Sequence, residues 1–211
     1  MGRISFQERQ RQEREKAILT EAFGLLTTKG YAAMTMDDVA GAVGISKATL
    51  YQHFRSKEEL TANVGVSLLK NAKERLGALD PQLSAVERLK AVMRGLIEMR
   101  CAAEQRSGDS YPGGLGATLK PIVSRHPHFQ EQYRHFVSTM CGLVDAAKGE
   151  GEVRDDIPTR TIVQVLLSLT RDFDYAEMLV AQTMAPETLS EDLASLFLDG
   201  VRSKVVVSST R

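Results

Sequence analysis

Residues 35–57, TMDDVAGAVGISKATLYQHFRSK, contain three helix starts separated by tight turns. Thr35 is placed to cap MDDVAGAV, with Asp37 and Asp38 in the first turn, where the helix dipole favours negative charge. Gly44 then stops that helix and Ser46 caps the next, KATLYQHF. Ser56 opens a third, at the S-x-x-E spacing of a capping box to Glu59. Short helices joined by so tight a turn are what a helix-turn-helix uses economically.

The faces of KATLYQHF constrain the chemistry. Leu50 and Phe54 lie four apart and share an inward side with help from Ile45, while Val39, Ala40 and Val43 give the preceding helix an apolar stripe to meet them. Lys47, Ala48, Tyr51 and Gln52 are left facing outward. A lysine, two small residues (Ala48 and Thr49) and a tyrosine let a duplex come close and offer both polar and apolar contacts to base edges. Thr49, His53 and Lys57 are placed to reach sugar-phosphate, as are the amides at the capped helix starts. Taken singly, Thr35 and Ser46 are also what plain caps look like, Tyr51 a half-buried aromatic and Lys57 a solvated charge. Their order and spacing as a set favour DNA.

At these residues the chain resembles the tetracycline-repressor (TetR) family of bacterial transcription regulators. The resemblance covers about residues 16–60: AILTEAFGLLTTKGYAAMT, then MDDVAGAVGIS, then ATLYQHFRSKEEL, with its Tyr-x-His-Phe and the following Ser-Lys-Glu-Glu-Leu. It implies backbone contacts from Thr35, Thr49, His53 and Lys57 and groove contacts from Lys47, Ala48 and Tyr51, with Ser46 capping the helix that carries them. It also implies an all-α chain. Residues 1–57 would form a three-helix helix-turn-helix DNA-binding domain, joined by a long helix to a ligand-binding and dimerisation domain over residues 58–211.

Charge does not contradict this. Lysine plus arginine and aspartate plus glutamate each number 27 in 211 residues, but only the footprint on DNA must be basic. Arg3, Arg9, Arg11, Arg14 and Lys16 face three glutamates in the first seventeen residues, a modest local bias. Grip on DNA would therefore come from a few placed contacts doubled by a dimer, and weaken with salt. Cys101 and Cys141 are too few and too far apart for a disulfide scaffold or a CxxC metal site, and read as buried thiols, with a redox or electrophile sensor as the alternative. No signal peptide or membrane-length apolar run is apparent, so the expectation is a soluble cytoplasmic protein without membrane attachment.

Along the chain, residues 1–9 read as a mobile arm. A helix over about residues 12–28 buries Ile18, Ala22, Leu25 and Leu26 and is closed by Gly30. From Lys57 a longer helix places Leu60, Val64, Leu68, Ala72 and Leu76 on one stripe before Asp80-Pro81 breaks it, a stiff connection with no Gly/Ser-rich linker. Helices follow over about residues 83–104, 115–125, 128–148, 159–183 and 186–204, about nine in all, with a turn-rich RSGDSYPGGLG between the first two of these. Apolar residues occupy most of the circumference between Ile162 and Leu169, so one face cannot hide them. The resemblance implies that the last two helices pair with their copies as a homodimer, which suits a palindromic double-stranded operator with half-sites roughly 34–36 Å apart.

In the sensor half, Met93, Ile97, Tyr111, Phe136, Met140 and Phe173 are the candidate lining for a small apolar or amphipathic effector of unknown identity; each also fits a plain core. His128 and His135 are two turns apart, too far for joint ligation, and no HExxH occurs, so no metal is expected. No catalytic triad order, Walker loop or nucleotide fingerprint is present, and neither an enzyme nor a cofactor is expected. Two functions stand: a ligand-responsive repressor, and a DNA-binding or adaptor protein whose C-terminal half only dimerises or holds a protein partner.

Overall fold

Helices carry nearly all of residues 5–107, 114–171 and 184–203, which are those the computed structural model describes. There are ten among them: α1 Phe6–Thr28, α2 Gly30–Ala33, α3 Met36–Val43, α4 Lys47–His53, α5 Lys57–Gly77, α6 Ala85–Ser107, α7 Gly114–Val123, α8 Pro127–Gly149, α9 Thr159–Arg171 and α10 Pro186–Val201. The described residues hold no strand beyond an isolated bridge between Val153 and Arg202. The chain is all-α.

One local expectation needs correction and another an addition. Residues 6–9, read as part of a mobile arm, are helical, because Ser5 caps α1 by accepting from the Glu8 amide at 3.1 Å and Glu8 accepts from Gln12 one turn on. Gly30 does close α1, and it also opens a further short helix. Lys29 is the C-cap, its amide donating to the Leu25 carbonyl, and Gly30 takes φ +83°, a left-handed value that turns the chain into the one-turn α2. That extra turn makes ten helices among the described residues, where the sequence suggested about nine in all.

The helices gather into two compact units, residues 1–70 with 103–133, and residues 71–102 with 134–211. The divisions fall inside α5, α6 and α8. In the first unit the core holds Ile18, Ala22 and Leu26 of α1, Val39 and Ala40 of α3, Leu50 and Phe54, and Leu60 and Val64 of α5. Met34 and Met36 flank Thr35 in the same core. Leu119 and Val123 of α7 also belong to it, with Phe129 packed alongside. Sequence periodicity gave α7 no place there, since ten residues with Pro121 inside show an apolar side but not its partner.

Phe129 approaches α5 where there is no side chain. A Cβ on Gly65 would stand 2.9 Å from the Phe129 ring and 3.4 Å from Val123, and the ring is held from behind by stacking on Tyr133, centroids 6.0 Å apart. In the second unit, Val86, Leu89, Met93 and Ile97 of α6 join Phe136, Met140 and Val144 of α8, Ile162 and Leu166 of α9, and Leu189, Phe197 and Val201 of α10 among the buried residues. Polar contacts tie α6 to α10: Lys90 pairs with Glu191, Arg94 lies 3.1 Å from the same carboxylate, and Ser190 donates to Glu98 at 3.1 Å.

Gly65→Val is expected to destabilise the protein by about 1–3 kcal/mol through overpacking, read as a lower urea midpoint. Adding Phe129→Ala should recover part of that loss. Equal losses in the two backgrounds would contradict the close approach.

Candidate nucleic-acid interface

Each helix of the 35–57 stretch is fixed at its start by a side chain. Thr35 Oγ1 accepts from the Asp38 amide at 3.1 Å, and Asp38 Oδ2 accepts from the Thr35 amide at 2.9 Å, a closed capping box. The Thr35 hydroxyl also donates to Asp38 Oδ2, and Lys29 Nζ lies 2.8 Å from Asp38 Oδ1. The Lys29 bond first, then Thr35, pull the Asp38 carboxyl down from 3.8 to about 2. At the other end Gly44 has φ +75°, and the Ile45 amide returns to the Ala40 carbonyl at 3.0 Å, which closes α3.

Ser46 then caps α4 by accepting from the Thr49 amide at 3.1 Å, and its hydroxyl shares a 2.8 Å hydrogen bond with that of Thr49. Leu50 and Phe54 are buried against α1 and α3. What remains faces out: the Lys47 side chain is 55% exposed, Tyr51 42%, and Ala48 is exposed beside them. Lys47 Nζ lies 2.8 Å from Asp37 Oδ2, and that bond raises the lysine's pKa. Thr49 and His53 are half-buried. The His53 Nδ1 atom is buried with no hydrogen-bond partner among the described residues, and its ring lies beside Phe54.

Ser56 caps α5 by accepting from the Glu59 amide at 3.1 Å, while the Glu59 carboxylate takes the Arg55 amide rather than that of Ser56. Lys57 is half-buried, with its ammonium 4.3 Å from the centre of the Tyr31 ring and 3.3 Å from the Ala32 carbonyl. Tyr31 in turn donates to Glu58 at 3.0 Å; burial first, then Glu58, raise the phenol's pKa. The structure therefore brings Thr35, Ser46, Lys47, Ala48, Thr49, Tyr51, His53 and Lys57 together within the first unit. Lys29, Tyr31 and Asp37, which steady that set, were not legible, because their partners lie ten or more residues away or depend on the α2 turn.

Of the candidate effector lining, Met93, Ile97, Phe136 and Met140 are buried in the second unit, and Tyr111 and Phe173 lie outside the described residues. A cavity of about 360 Å³ occurs in that unit between the end of α5 and α6, with walls from Ala72, Leu76, Val92, Gly95, Leu96 and Met99 and polar Asn71, Glu74 and Arg75. Among the described residues no group of three or more His, Cys, Asp or Glu is placed to hold a metal ion, and no helix is long and apolar enough to cross a membrane.

The profile of the tetR family of bacterial regulatory proteins matches residues 18–64, the span that contains all of these contacts up to α5. Over these residues the chain matches the TetR family of transcriptional regulators. The HTH-type transcriptional regulator EthR of Mycolicibacterium smegmatis is 27% identical over 202 residues, 93% of this chain and 90% of that protein. The fold is that of the fatty acid degradation regulator FadR from Bacillus halodurans, with a TM-score of 0.69 at 16% identity over 90% of this chain and 97% of that one. It is likewise that of the transcriptional regulator FadR from Bacillus subtilis in complex with stearoyl-CoA, with a TM-score of 0.64 at 14% identity over 88% and 98%.

Thr35→Ala should cost about 1 kcal/mol of stability in urea unfolding. Asp38 has a depressed folded pKa, so its contribution is complete above the ordinary 3.8 and is lost as pH falls towards about 2. Asp38→Asn should flatten the stability profile in that window; an acid limb identical to wild type would contradict the capping box.

Proposed function

We propose that this chain is a homodimeric TetR-family repressor that binds palindromic operator DNA through α3 and α4 and leaves it when a small apolar or amphipathic effector binds. The observation that carries the reading is the outward face of α4: Lys47, Ala48 and Tyr51 stand exposed while Leu50 and Phe54 anchor the helix from behind. Tyr51 and Ala48 supply apolar contact and Lys47 a donor to base edges. Thr35, Thr49, His53 and Lys57, with the amides of the capped starts, hold the sugar-phosphate. In this reading residues 1–57 bind DNA and residues 58–211 sense the effector and dimerise.

Exposed apolar side chains support the dimer. Val165 on α9 is 48% exposed and Leu196 on α10 is 71% exposed, on the two helices whose other faces are buried in the second unit. A second copy covering them would set two α4 helices on half-sites about one helical turn apart. For the effector, support comes from the apolar interior around Met93, Ile97, Phe136 and Met140, with Tyr111 and Phe173 proposed beside them, and from the stearoyl-CoA complex of the same fold. Effector binding acts only through differential affinity for the DNA-competent and DNA-released states.

Tyr51→Ala and Lys57→Ala are each expected to weaken operator binding by roughly tenfold or more with an unchanged circular dichroism spectrum. Unchanged affinity in both would rule out this face as the DNA contact. Leu196→Glu should yield monomers in sedimentation. A thermal-shift screen of fatty acids and acyl-thioesters, followed by operator release, tests the sensor; no stabilising compound and no release would leave the C-terminal half as a dimerisation module.

A further inference from the structure

We infer that Asp37 tempers the affinity of the α4 face for DNA by holding Lys47 in competition with duplex phosphate, an inference that rests on the DNA-binding reading above. Lys47 is the first residue of α4 and Asp37 lies in the first turn of α3, and their charged atoms meet at 2.8 Å across the intervening turn. Both side chains are more than half exposed, so the pair adds little to the fold. Each helix already has its own cap and buried face, from Thr35 and Asp38 for α3 and from Ser46 and Leu50 for α4. The carboxylate next in sequence, Asp38, is occupied by the Thr35 box and Lys29. Asp37 is left for Lys47.

The surroundings give the pair its consequence. Two capped helix starts carry partial positive charge from unpaired amides, and Lys47 adds a full one. Without Asp37 that cluster would grip any polyanion. Lys57, the other proposed cation of the site, is restrained by neutral groups, the Ala32 carbonyl and the Tyr31 ring, which do not cancel its charge. A duplex engaging α4 must therefore either draw Lys47 off Asp37 or accept a carboxylate among its phosphates. That penalty is the same for every sequence. The pair therefore lowers the affinity of the face for every duplex and leaves the preference among them to the contacts with base edges.

The test uses full-length protein, a duplex enriched by the wild type from a randomised pool, and a random duplex of equal length, with affinities read by anisotropy across a salt series. Asp37→Asn should tighten both duplexes by about three- to tenfold and steepen the log–log salt slope of the random one by about one unit. Asp37→Ser should do the same. In a Lys47→Met background the Asp37→Asn gain should vanish, because the two residues act as one coupled pair. An equal gain in that background, or unchanged affinity and slope in the single variants, overturns the inference while leaving DNA binding intact. If the wild type enriches no duplex at all, the DNA-binding reading falls and the role of Asp37 falls with it.

Discussion

The helix-turn-helix depends on burial of Leu50, on a helix of only seven residues, and of Phe54, which caps its C-terminal end. A helix this short is not stable alone, since nucleation is costly and few hydrogen bonds follow it. It exists because those two side chains reach a core built by α1, α3 and α5, and because Ser46 fixes the first turn. Burying two such side chains is worth about 1.5–3 kcal/mol each, more than the exposed hydrogen bonds around the site can supply. The outward set follows in part from the inward one: with Leu50 pointing in, helical spacing turns Ala48 and Tyr51 outward, whereas Lys47, three residues before Leu50, is exposed at the helix start.

Around this anchor, polar contacts set angles more than stability. The capping box at Thr35 and the left-handed Gly44 fix where α3 begins and ends, and therefore the direction in which the chain enters α4. Lys57 leans on Tyr31, and Tyr31 on Glu58, joining the one-turn α2 to the start of α5. Most of these groups are exposed and individually weak. Their effect is to narrow the range of positions a few side chains occupy, which matters for recognition far more than for folding.

Much of this was legible from residue order. The caps at Thr35, Ser46 and Ser56, the Gly44 stop and the inward Leu50 and Phe54 follow from local rules, because each involves residues within four or five positions of one another. The α5 stripe was legible too, though Leu68 is only half-buried. What escaped was non-local. The turn at Gly30 needed a backbone value that a glycine permits but does not announce, and the place of Leu119, Val123 and Phe129 in the first core depends on a return of the chain from more than fifty residues away. The Lys47 to Asp37 pair spans ten residues and a turn whose geometry had to be known first. For the C-terminal half, apolar stripes located the buried residues Met93, Ile97, Phe136 and Met140, but periodicity does not tell a wall from a core, and the cavity at the end of α5 is lined by other residues of α6.

The bare backbone at Gly65 has a mechanical corollary. A ring lying in a gap one residue wide, with Thr61 and Leu69 a turn away on either side, meets a side chain after travelling only a few ångströms along the axis, given a rise of about 1.5 Å per residue. Phe129 therefore sits as a pawl in a notch, and axial slippage of α5 would bring a neighbouring side chain against the ring within a single turn.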